Sequence, residues 1–63
     1  MKDLGKTIAK YRKEHKLNQS QLAKELENYD IYVKQNSISA WELGTATPNA
    51  RQFLALCEIL EIY

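Results

Sequence analysis

The chain has 63 residues, two glycines, one proline and a formal net charge of +1. That length allows one domain with a thin core and no room for a large ligand cavity, and the composition is that of a folded helical chain, not of a linker or tail. No apolar run reaches the ~18 residues of a membrane span, and the N-terminus is charged and amphipathic, unlike a secretory signal. One cysteine and one histidine support neither an internal disulfide, a zinc cluster nor a nucleophilic dyad. The expectation is a cytoplasmic protein with no cofactor or metal. Charge is uneven: residues 1–16 carry six cations against two anions, and residues 17–63 carry three against six. A basic end suits an acidic partner, but the same pattern also describes an ordinary solvated helix face.

Leu4, Ile8, Tyr11 and His15 fall at spacings of four, three and four, which predicts an amphipathic helix over residues 3–15. Asn18-Gln19-Ser20-Gln21 supplies an N-cap with a glutamine three residues on. This capping-box pattern opens a second helix, with Leu22, Ala23 and Leu26 facing inward. Glu27 to Tyr32 loses helical periodicity and reads as a connecting turn. A third helix follows from Lys34 to Leu43, stopped by Gly44, which tolerates left-handed backbone. At about 100° per residue, Ile38 and Trp41 share one side of it, while Asn36, Ala40 and Leu43 cluster near the other. Gln35, Ser37 and Ser39 flank that outer side. Amides and hydroxyls that both donate and accept stand where a solvated helix would carry Lys and Glu, and such a face can read base edges. Thr45 to Pro48 form a loop. Asn49 and Gln52 then repeat the capping box and open a fourth helix running to about Leu60. Its apolar residues occupy more than one face, so it is either central to the core or covered from outside.

Three separated stretches carry a family resemblance: Leu17-Asn18-Gln19-Ser20-Gln21-Leu22-Ala23, Ser37-Ile38-Ser39-Ala40-Trp41-Glu42-Leu43-Gly44, and Pro48-Asn49. Together they resemble the Cro and phage-repressor type of helix-turn-helix domain, the XRE family, over nearly the whole chain. The resemblance implies an all-α, compact four-helix, lambda-repressor-like domain spanning residues 1–63. Relatives usually add a fifth helix, so the expectation is either the N-terminal part of a longer repressor or a dimer that uses the apolar edge. In such domains the helix opened by Asn18 crosses the phosphate backbone while the helix from Lys34 to Leu43 lies in the major groove. Carried over, Gln35 and Asn36 read bases and Ala40 meets a thymine methyl. Gln19, Lys34, Ser37, Ser39, Thr45 and Thr47 hold phosphate or brace the helix, and Arg12 and Glu42 match a structural pair. Ile59, Ile62 and Tyr63 follow the core stripe of the fourth helix and are the dimer candidates.

The function implied is a sequence-specific regulator of transcription, of repressor type, that binds a palindromic double-stranded operator as a homodimer formed on DNA. The alternative is a protein-interaction module on the same fold, holding an antirepressor or toxin. An enzyme is not expected, because no acid and base are paired in a plausible cleft. Two departures stand out. Seven positions separate Leu26 from Val33, where relatives use only a few, and the loop after Gly44 lacks basic residues.

Overall fold

Both predicted capping boxes close. The Asn18 side chain accepts from the Gln21 N–H at 2.7 Å and the Asn49 side chain from the Gln52 N–H at 2.8 Å, while each glutamine accepts from the asparagine N–H at 2.8 Å. They start α2 (Gln19–Leu26) and α4 (Ala50–Leu60); α1 is Leu4–Glu14 and α3 is Gln35–Leu43. The computed structural model describes residues 3–62, which hold these four helices and no strand within 27 × 21 × 19 Å. The segment read as a turn runs straight on from α2 as a 3₁₀ turn, Glu27–Tyr29, before the chain extends towards α3. Part of the long connection is therefore a continuation of α2.

The helical segments end alike. Lys16, Asp30, Gly44 and Glu61 have φ of 58°, 60°, 81° and 57°. The next residue reaches back five positions in each case: Leu17 N–H to Arg12 O, Ile31 to Leu26 and Ile62 to Cys57 at 3.1 Å, and Thr45 to Ala40 at 3.0 Å. Glycine accepts this conformation freely, whereas another residue costs about 1–3 kcal/mol. At the three non-glycine positions the next residue is Leu17, Ile31 or Ile62, each packed in or against the core. Burial of that side chain, up to about 1.5–3 kcal/mol when complete, offsets the backbone cost.

Ile8, Leu22, Leu26, Ile38, Leu56 and Leu60 are fully buried, joined by Ala23, Ile31, Trp41 and Ala55. The inward side of α3 is thus the Ile38 and Trp41 side, as its wheel predicts. Both α3 and α4 pack on α1 and α2. The approach of α1 to the end of α3 needs Gly5: a Cβ there would stand 2.5 Å from Trp41 O and 2.6 Å from Glu42 O, both backbone atoms. Gly5→Ala gains at most about 1 kcal/mol of helix propensity, against about 1–3 kcal/mol or more for forcing two helices apart. The variant is expected to be less stable by about 1–2 kcal/mol, read as a lower midpoint in urea unfolding; a midpoint equal to the parent's would refute the close contact.

Candidate nucleic-acid interface

A largely buried ion pair ties α1 to α3. Arg12 Nε donates to Glu42 Oε2 at 2.6 Å and its Nη2 to Oε1 at 3.1 Å, while Nη1 donates to Leu17 O at 2.8 Å. Both side chains are only about a tenth exposed, 11 % and 10 %, so the paired, forked geometry is what makes the charges tolerable there. Burial pushes the Glu42 carboxyl up. Hydrogen bonds from Arg12 and Gln19, with the charges of Arg12 and Lys13, outweigh it and hold the group below its ordinary value. The hydrogen bond to Glu42 raises Arg12 against the opposing effect of burial.

The network continues outward. Gln19 Nε2 donates to Glu42 Oε1 at 3.0 Å, Gln35 Nε2 donates to Gln19 Oε1 at 3.2 Å, and Ser20 Oγ donates to Gln35 Oε1 at 3.3 Å. An unbroken chain of hydrogen bonds therefore runs from the end of α1 through the first residues of α2 to the first residue of α3. The structure brings together Arg12 and Glu42, which the resemblance pairs, and sets Gln19 between Glu42 and Gln35. Gln35 is itself tied on both amide atoms, leaving one N–H and part of the oxygen's accepting capacity for an outside group. Lys34, Gln35 and Asn36 are exposed, while Ser37, Ser39 and Ala40 are half-buried. Leu43, 76 % exposed, continues the outer side of α3. Thr45 and Thr47 are exposed, but the Thr45 hydroxyl donates to Ala40 O at 3.3 Å. Ile59 and Ile62 are half-buried against the core, and Tyr63 lies outside the described residues.

Sequence reasoning missed several contributors. Ser20 stands inside a recognised motif, yet nothing in the motif shows that its hydroxyl meets Gln35. Ile31, an apolar residue in a polar turn, was the available signal for a core anchor. His15, the last residue of the α1 stripe, bridges two helix ends: Nδ1 lies 2.9 Å from Tyr11 O and Nε2 3.1 Å from Glu61 Oε1. Among the described residues no helix is long and apolar enough to cross a membrane, and no group of three or more His, Cys, Asp or Glu is placed to hold a metal.

Two stacked helices joined by a turn, locked together at their N-terminal ends and presenting a polar outer side, define a helix-turn-helix domain, a kind of domain that binds DNA and is not catalytic. The chain belongs to the helix-turn-helix domain family of the XRE, or Cro and phage-repressor, type: the family pattern matches residues 5–63. No curated protein and no solved structure matches it significantly.

Removing either Arg12 or Glu42 strands its partner, at a cost of about 3–5 kcal/mol. A domain of this size has only about 3–5 kcal/mol to lose. Arg12→Met and Glu42→Leu are each expected to leave the chain largely unfolded at 25 °C, and the double replacement to recover much of the loss. A double-mutant cycle with no coupling would remove the pair from the account. The same linkage predicts loss of stability in acid, as pH falls from the ordinary carboxyl value of 4.5 through the lower folded one.

His15 behaves oppositely. Its hydrogen bond to Tyr11 O, then that to Glu61, raise it above 6.5. Its stabilising effect is complete below 6.5 and is lost as pH rises through the folded value. NMR titration is expected to place His15 above a free histidine, and His15→Gln to remove the loss of stability that sets in as pH rises above 6.5. An unshifted titration would show that the bridge does not form in solution.

Proposed function

We propose that this chain is a sequence-specific, double-stranded DNA-binding regulator of transcription, of repressor type, that places α3 in the major groove. The observation that carries the reading is the hydrogen-bonded run from Glu42 through Gln19 to Gln35, which holds an exposed amide at the entrance of α3, while the Asn36 side chain makes no hydrogen bond among the described residues. Side-chain amides such as those of Gln35 and Asn36 are suited to the paired donor and acceptor pattern of adenine, and the Ala40 methyl to that of thymine. Gln19, Lys34, Ser37, Ser39, Thr45 and Thr47 serve phosphate or brace α3. Lys34 also begins a helix without a side-chain cap, and uncapped N–H groups favour anions.

One such helix covers a few base pairs. The reading therefore includes a homodimer formed on a palindromic operator, with half-sites about 34 Å apart, for which Ile59 of α4 and Ile62 and Tyr63 after it are the candidate contacts. It acts in the cytoplasm of a bacterium or of a phage-infected cell, on the nucleoid when bound. Gln35→Ala or Asn36→Ala is expected to cost about 1–3 kcal/mol on the preferred site while leaving random-sequence binding and the fold unchanged. Operators are first selected from a random duplex pool. Variants that discriminate as well as the parent would overturn the base-reading assignment, and affinity insensitive to salt would favour a protein-binding module instead.

A further inference from the structure

Outside α3, α4 presents a face that packing among the described residues leaves open. Arg51, Leu54, Ala55 and Glu58 fall within about 100° of one another around the helix. With Tyr29 and Ile31 of the connection between α2 and α3 they line an open hollow of about 200 Å³ with almost wholly apolar walls. Leu54 stands at its edge, 66 % exposed. Arg51 and Glu58 flank the apolar centre, and among the described residues neither has an ion-pair partner.

The order of these residues is self-complementary. A two-fold axis crossing α4 midway between Leu54 and Ala55 places a second α4 antiparallel to the first. Arg51 then meets the second copy's Glu58, Glu58 meets its Arg51, and each Leu54 lies over the small Ala55 beside the partner's hollow. Contacts in which the same patch serves both copies are what a two-fold pair requires, and opposite charges set two turns apart fix the antiparallel direction. We propose that this face of α4 is where two copies of the chain meet. The proposal rests on the dimeric part of the functional reading and shifts the contact from the end of α4 to its middle, because Ile59 and Ile62 already spend much of their surface on the core.

An 11-residue helix and the rim of one connection supply less than the ~800 Å² per partner of a stable complex. The pair is weak in free solution and is reinforced when one operator holds two copies together.

Sedimentation of the whole chain without DNA, up to about millimolar concentration, tests this by charge reversal. The parent is expected to dimerise reversibly. Arg51→Glu alone and Glu58→Arg alone each create two like-charge contacts and are expected to weaken the dimer at least about tenfold. An equimolar mixture of the two variants, or both changes in one chain, restores opposite pairs and is expected to recover it. Leu54→Asp abolishes it. Circular dichroism checks that every variant keeps the parent's melting temperature, as exposed positions should. A parent monomeric throughout, reversals without effect, or no recovery in the mixture and the double variant would overturn the proposal and leave the hollow to a different partner. Half-site DNA binding, measured in parallel, is unchanged in the variants if the DNA-reading assignment is correct, so failure of one reading is distinguishable from failure of the other.

Discussion

A carboxylate removed from water needs donors on its oxygens, and Glu42 finds three: two from Arg12 and one from Gln19. In a domain with a stability of about 3–5 kcal/mol, an ion left unpaired in this position would cancel most of what the core supplies. The constraint acts on geometry as much as on energy. Arg12 is on α1, Gln19 opens α2 and Glu42 is near the end of α3, so satisfying one side chain sets three helices relative to one another. Gly5 permits the same arrangement sterically, because α1 must pass the backbone of Trp41 and Glu42 closely for the guanidinium to reach its partner. Packing and electrostatics therefore agree on one placement of α3.

That agreement extends to the outer surface. Gln19 accepts from Gln35 with the same amide that donates to Glu42, so the position of an exposed side chain depends on a largely buried charge. An amide held this way loses less rotational freedom when it meets a ligand than a freely rotating one. Asn36 has no such tether. The two neighbouring amides thus differ in preorganisation, although their chemistry is nearly the same.

Short helices bring a second constraint, since every end leaves carbonyls to be satisfied. This chain uses one device repeatedly: a left-handed residue followed by a residue whose N–H reaches back five positions. Gly44 takes the conformation without strain and is followed by an exposed threonine. Lys16, Asp30 and Glu61 carry strain and are followed by apolar residues that the core takes up. The two solutions show local backbone energy and burial being exchanged within neighbouring positions.

The residue order by itself determined what depends on neighbours a few positions apart. Both capping boxes, the stop at Gly44, the inward side of α3 and the stripe of α1 follow from spacings of three and four, because those spacings set hydrogen bonds and faces on any α-helix. The resemblance of three motifs pointed further, to the pairing of Arg12 with Glu42 and to Gln19 beside the third helix, and these side chains do meet. Other features required the tertiary arrangement. The burial of Ile31, the turn endings at Lys16, Asp30 and Glu61, the contact of Ser20 with Gln35, the bridge from His15 to Glu61 and the need for glycine at position 5 join residues whose types are compatible with many local outcomes. A lysine, an aspartate or a glutamate does not announce left-handed backbone, and a glycine early in a helix does not reveal which backbone passes it. Only packing the helices together decides these, since each depends on how closely two segments distant in the chain approach one another.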